Sequence, residues 1–315
     1  MLEERFYSLG RYFKKMFDER VHRINIQIPP GNAPGTYSLC AGGSLDIHHD
    51  DGGVSIKEQL ANVKVRVRQR FKLGKFMASL HTAPASPISM DTIGAAVDEL
   101  LRDNEIIGVS IAIRPDSITE EMRKFLKNTS KHVCTWLEPG LHTMHDSTLA
   151  RMGLSHTYAS AKESLIQLIG TKVHIAPHVV FGLPGETREM MAKTMWEISR
   201  LYCGGIYIHN FYVAKDTTME REYADGQLKL LEREEYVGLV CDFIEVLSTD
   251  TVLHGIVDSV SEDRLVAPAW MSLRKENMDL IIAELEKRGS VQGCKLEPPR
   301  GSGIPQTMAE FEVGR

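Results

Sequence analysis

The sequence predicts an α/β protein whose strands and helices alternate along the chain and whose strands build a complete or partial (β/α) barrel. Two observations predict it. Short apolar runs rich in β-branched residues alternate with stretches of helical spacing six or seven times in one continuous series, and parallel neighbours need helical crossovers of one hand. Several runs end in polar or ionisable residues, Ile113-Arg114, Leu137-Glu138 and Ile208-His209, with His178 inside another. In barrels the C-terminal strand ends build one shared pocket, which favours a barrel over a doubly wound sheet. With 43% apolar residues over 315 positions, the core such a fold demands can be filled.

The elements follow in order. Tyr7 to Arg20 mixes Arg11, Lys14 and Lys15 with Phe13, Met16 and Phe17, the pattern of a short amphipathic helix packed by its aromatics. Val21 to Ile28 alternates strictly, as a half-buried strand does, and Pro29-Pro30 ends it. A glycine-rich loop follows, Gly31 to His48. Ser55 with Glu58 three residues on predicts a capping box opening a helix to about Phe71.

From there strands are expected at Phe76 to Leu80, Ile106 to Ile113, Val133 to Leu137, Val173 to Phe181, Ile206 to Val213 and, last, Val252 to Val257. Helices are expected at Met90 to Leu101, after a Ser117 cap, at Asp146 to Met152, Ser160 to Ile169, Glu186 to Tyr202 and Glu232 to Leu247. In the Glu186 helix, Met191, Met195, Ile198 and Tyr202 share one face. Asp216, Glu220 and Glu222 fall in a loop, and the tail with Pro298, Pro299 and Pro305 has little means of packing.

Charge and cysteine content bound the function. A net charge of −5, from 42 acidic and 37 basic residues, argues against a protein basic throughout while allowing a local basic patch. The five cysteines, Cys40, Cys134, Cys203, Cys241 and Cys294, form no C-x-x-C pair and read as reduced thiols. Neither a signal peptide nor an apolar stretch of membrane-spanning length is present, so the expected location is cytoplasmic, with no membrane partner.

Six phrases carry a family resemblance: Ile113-Arg114-Pro115-Asp116, Trp136 to Thr143, His145-Asp146, Phe181 to Thr187 (Phe-Gly-Leu-Pro-Gly-Glu-Thr), Val213-Ala214-Lys215 and Leu265 to Trp270. In this order and spacing, from Gly10 to Leu296, the chain resembles a radical SAM family related to the catalytic subunit of elongator, whose members include bacterial proteins linked to wobble-uridine tRNA modification. The resemblance implies a radical SAM-type partial (β/α) barrel over 21–290, set between the N-terminal helix read from the residues over 1–20 and a flexible tail over 291–315. It also implies a [4Fe–4S] cluster on three cysteines, with S-adenosylmethionine on the fourth iron.

Those cysteines belong in the glycine-rich loop. Where the family runs Cys-Pro-Asn-x-x-Gly-Thr and then Gly-Gly-Cys-x-x-Cys, this chain has Pro30, Ser44 and Ile47 at the cysteine positions. Proline and isoleucine cannot ligate iron, and a neutral serine hydroxyl is a poor substitute for a thiolate. Cys40 alone would not hold a four-iron cube. The neighbouring His48, His49 and Asp50 have ligand chemistry, but a solvated polar turn before Gly52-Gly53 accounts for them more simply.

The resemblance further implies a cofactor or small-ligand pocket at the barrel mouth formed by Arg114, Glu138, His142, His178, His209 and Lys215. The bland alternative is an Arg114 to Glu138 pair that closes the barrel. The family usually has glutamine where His142 stands. His132 and His174 are assigned to surface or strand-edge positions. Lys64, Arg66, Arg68, Arg70, Lys72 and Lys75 form a basic run without acidic interruption that could meet tRNA phosphates or simply be a solvated face.

Three functions remain open. One is a degenerate radical SAM-like protein that has become a non-catalytic or regulatory partner in tRNA modification, paired with an active paralogue or modifying enzyme. Another is an enzyme that binds S-adenosylmethionine or another small ligand and performs polar chemistry. The third is an active radical enzyme with ligands from Cys40 or a partner chain.

Overall fold

The computed structural model describes residues 5–28, 54–71, 74–81, 89–201, 203–258, 260 and 262–296. Its elements in chain order are α1 (Leu9–Phe17), β1 (Val21–Gln27), α2 (Ile56–Arg70), β2 (Lys75–His81), α3 (Met90–Leu101), β3 (Ile106–Ile113), α4 (Glu120–Thr129) and β4 (Cys134–His142). Then come α5 (Asp146–Arg151), α6 (Tyr158–Ile166), β5 (Val173–Ile175), β6 (His178–Phe181), α7 (Arg188–Ser199), β7 (Gly205–Asn210), β8 (Val213–Ala214), α8 (Thr218–Ala224), α9 (Arg233–Val246), β9 (Val252–Gly255), β10 (Leu265–Ala267) and α10 (Arg274–Lys287). The glycine-rich loop, with Pro30, Cys40, Ser44, Ile47, His48, His49 and Asp50, lies outside the described residues, as do Lys72, Tyr202 and the proline-containing tail.

The alternation is present, with corrections that have local causes. Thr119, not Ser117, caps α4 by accepting from the Met122 N–H, and Ser117 sits in a short 3-10 turn behind Pro115. The run Val173 to Phe181 is two strands, broken at Ala176-Pro177, where proline has no N–H to give. The run from Ile206 likewise breaks, so that Val213–Ala214 leaves β7 and pairs antiparallel with β10, a strand beyond the one expected last. Glu220 and Glu222 lie in a helix, α8, whose N-cap Thr217 accepts from the Glu220 N–H.

The chain forms two compact units: one is Gly10–Gly140 with Ala159–Ile175, and the other contains Leu141–Tyr158 and the chain from Ala176 on. In the first, β1, β2, β3 and β4 pair parallel in that order. The register aligns Asn25, Ser79, Ser110 and Trp136, and two residues on aligns Gln27, His81, Ala112 and Glu138. Alternate residues, Ile24, Ile26, Leu80, Val109, Ile111 and Leu137, are buried together with Ile93, Val97 and Leu100 of α3 and Met122 and Leu126 of α4, and make the core. The in-between positions carry the polar set. Among them Trp136 receives Tyr12 of α1 edge-on, with ring centroids 5.4 Å apart.

The capping box is formed as expected, with Ser55 accepting from the Glu58 N–H and the Glu58 carboxylate accepting from the Ser55 N–H. One turn in, buried Gln59 accepts from the Gln27 N–H at 2.8 Å and donates to the carbonyls of Gln27 at 3.0 Å and Val54 at 3.1 Å. The two described ends that flank residues 29–53 are thus joined through one side chain.

In the second unit β6, β7 and β9 pair parallel. Met191, Met195 and Ile198 of α7 are buried as their spacing requires, along with Phe243 and Ile244 of α9 and Ile281 and Leu285 of α10. Phe181 and Ile208 point to these helices: Phe181 lies 6.0 Å from the Phe243 ring, and the Tyr236 hydroxyl donates to the Ile256 carbonyl at 3.0 Å. Between β6 and α7 the chain turns through Gly182, at φ +78°, where a Cβ would stand 2.9 Å from Leu231 Cγ. Only glycine fits both constraints. His178, Tyr207 and His209 take the opposite face.

Candidate functional site

Glu138 sits on β4 with its side chain 1% exposed. It is satisfied from two other strands of the sheet: Arg23 Nη2 of β1 donates to Oε2 at 2.7 Å and the Ser110 hydroxyl of the adjacent β3 donates to Oε1. Arg23 also donates to Ser79 Oγ, which lies 3.1 Å from His81 Nε2, and that nitrogen lies 3.2 Å from Asn25 Oδ1. The result is a polar network across four strands on one face of the unit. An ion pair so buried costs solvation, which only dense hydrogen bonding offsets. Network members are therefore held in fixed orientation, as a ligand-binding surface requires.

The closing pair expected between Arg114 and Glu138 is not formed. Arg114 follows β3 at the start of the Pro115 turn and engages Asp116, Nε donating to Oδ1 at 3.0 Å. Glu138 is aligned with Ala112 instead and reaches Arg23. Lys215 is exposed, just after β8.

Of the basic run, Lys64, Arg66, Arg68 and Arg70 fall on α2 and Lys75 opens β2, and part of it is neutralised. Lys64 is buried and bridges to both Asp103 and Glu105, while Arg68 Nη2 donates to Glu105 Oε1 at 2.6 Å. These partners hold both carboxyls below their usual values. Sequence proximity could not show them, since they arrive from the turn between α3 and β3. Arg66 remains exposed.

The second unit collects three of the expected histidines. His178 Nδ1 and His209 Nε2 are 2.8 Å apart, and His209 Nδ1 is 2.7 Å from Asp258 Oδ1. The His178 ring stacks on Tyr207 at 4.3 Å and 9°, and the Tyr207 hydroxyl lies 3.2 Å from His254 Nδ1. His142 ends β4 in the left-handed region, φ +59°, an unfavourable conformation for a non-glycine residue. Burial, with His178, His156 and His209 nearby, pushes its pKa down to about 3, so the ring is neutral. Asp258, His156 and His254 were missed from sequence; Asp258 follows the last strand expected, and no spacing links it to His209.

His174, assigned to a surface or strand-edge position, lies on the short β5 that pairs with β4. It stacks on Trp136 at 4.6 Å, and burial lowers its pKa to about 4. His132 is exposed as expected.

The described donors do not fit a four-iron cluster. Burial pushes the Cys203 and Cys241 thiols up to about 12 and raises Cys134 also, so they are poor sources of thiolate. Among the described residues no three His, Cys, Asp or Glu side chains are grouped to hold a metal. Among them too, no helix is long and apolar enough to cross a membrane.

The α/β partial barrel is the fold of radical SAM-related proteins, and comparison with known proteins finds the chain similar to them. The Radical_SAM C-terminal domain matches residues 204–287. YtqA of Bacillus subtilis is 28% identical over 302 residues, covering 92% of each chain. MJ0486 of Methanocaldococcus jannaschii is 27% identical over 299 residues, again covering 92% of each. Among solved structures, archaeal Methanocaldococcus infernus Elp3 superposes with a TM-score of 0.62 at 15% identity, over 86% of this chain. The match spans 64% of that Elp3 chain. At this identity the likeness shows the fold.

Proposed function

We propose that the chain is a radical SAM-like barrel without a cluster, which does not cleave S-adenosylmethionine reductively and serves as a non-catalytic or regulatory partner in tRNA modification. The observation that carries this is the thiol inventory: five cysteines with no C-x-x-C pair, and Pro30, Ser44 and Ile47 where the family's three ligands belong. The elongator likeness supports the tRNA setting, and exposed Arg66 on α2 offers a phosphate contact. The partner is an active paralogue or modifying enzyme.

A second reading is favoured by the two hydrogen-bonded side-chain sets. A barrel kept only as a scaffold has no need of a buried Arg23–Glu138 network or a His178–His209–Asp258 chain. On this reading the protein binds S-adenosylmethionine or another small ligand and performs polar chemistry.

Anaerobic reconstitution with iron and sulfide, followed by iron counting and visible absorption, alongside S-adenosylmethionine calorimetry, separates the readings. The expected result is no stoichiometric iron. About four irons per chain would overturn both. Heat of S-adenosylmethionine binding without iron supports the second, and its absence leaves the first.

A further inference from the structure

Asp258, His209 and His178 form a chain whose proton positions follow from valence. A carboxylate only accepts, so His209 carries its proton on Nδ1, toward Asp258 Oδ1 2.7 Å away. Its Nε2 then holds a lone pair. Across the 2.8 Å contact His178 must donate from Nδ1, which makes Nε2 its basic nitrogen. A proton taken up by His178 can pass along the contact to His209, where the resulting imidazolium lies against Asp258. All three residues are at least nine-tenths buried, with Asp258 at 7%, His209 at 1% and His178 at 2% exposure.

Beside this chain stands His142, also buried, at 6% exposure. Its Nδ1 has no hydrogen-bond partner among the described residues. Burying such a nitrogen unpaired costs roughly 1–3 kcal/mol, and φ +59° adds backbone strain. Two unfavourable features at one residue, next to a built proton chain, are the mark of a site completed by something else. The titratable groups that act on it are His178, His156 and His209, and these three histidines oppose a further positive charge.

We infer that His142 Nδ1 is the contact atom of a binding site for a neutral, hydroxyl-bearing ligand, with Asp258–His209–His178 as the acid–base relay that sets the protonation of the pocket. A hydroxyl both donates and accepts, so it satisfies Nδ1 in either tautomer. A carboxylate suits only the N–H form and an ammonium only the lone pair. The site deepens the second reading above and rests on it in requiring a bound small molecule, but it does not require that molecule to be S-adenosylmethionine. His142 is the ligand contact; His209 and Asp258 are positioning residues.

The test is histidine side-chain nitrogen NMR on the full chain, titrated with ethylene glycol as the hydroxyl probe. In the absence of probe, His178 and His209 should both be Nδ1–H tautomers near neutral pH. Asp258→Leu removes the accepting oxygens and should release His209 from the Nδ1–H form. Glycol should shift the His142 Nδ1 resonance and leave exposed His132 unmoved. An Nε2–H tautomer at His178, or an unchanged His209 tautomer in a folded Asp258→Leu, overturns the relay. No shift at His142 means the pocket takes water only and overturns the ligand site. Absence of calorimetric S-adenosylmethionine binding alongside a glycol shift removes the cofactor from the second reading and leaves this site standing.

Discussion

Replacing His142 by glutamine should remove a defined slice of acid sensitivity. The ring is buried and neutral, with a pKa of about 3 in the folded chain against 6.5 unfolded. A lowered histidine pKa means that the unfolded state binds more protons below 6.5, so stability falls as pH drops through that value and keeps falling toward 3. Each pKa unit is worth about 1.36 kcal/mol, and the one and a half units between 6.5 and 5 come to about 2 kcal/mol. The figure at pH 5 is the same wherever below about 4 the folded value lies. Urea unfolding at pH 7 and pH 5 reads it: the wild type should lose about 2 kcal/mol more than His142→Gln between the two. His174 and other groups titrate in both proteins and cancel. A stability difference between the two proteins that is flat from pH 7 to 5 would refute the buried neutral assignment.

Three further outcomes follow from other parts of the fold. Arg23→Met strands the buried Glu138 carboxylate and should cost about 3–5 kcal/mol, whereas the Arg23→Met, Glu138→Met double variant should recover much of it; a double variant as unstable as the sum of the singles counts against the pair. Gly182→Ala should cost about 1–3 kcal/mol in thermal unfolding, because the left-handed turn and Leu231 both oppose a Cβ. If α2 meets tRNA, Arg66→Ala should reduce the slope of log affinity against log salt by about one, while Lys64→Ala, already bound to Asp103 and Glu105, should leave that slope unchanged. Equal effects from both would show that the carboxylates release Lys64.

Local patterns were legible and distant pairings were not. Ser55 with Glu58 wrote its capping box into four consecutive residues, and Met191, Met195 and Ile198 announced a buried face. The alternation of apolar runs was enough for the fold class. Arg23 and Glu138 are separated by 115 positions, and register across four strands, which periodicity does not encode, brings them together. The same holds for His209 and Asp258. Lys64 looked like part of a free basic stripe because its neutralising carboxylates come from another turn. Strand ends at Pro177 and Phe211 were overrun because apolar composition continues through both breaks. Helix α10 went unseen because its buried positions, Asn277, Ile281 and Leu285, include a polar one that blunts the pattern.

The Gln59 clamp separates what holds the barrel from whatever residues 29–53 contain. Both flanking ends are tied to one glutamine, and Arg23 pins the preceding strand to Glu138. Neither tie draws on a cysteine. In an engineer's terms Gln59 is a fastener: the described chain on either side of residues 29–53 is held by contacts that lie wholly outside that stretch.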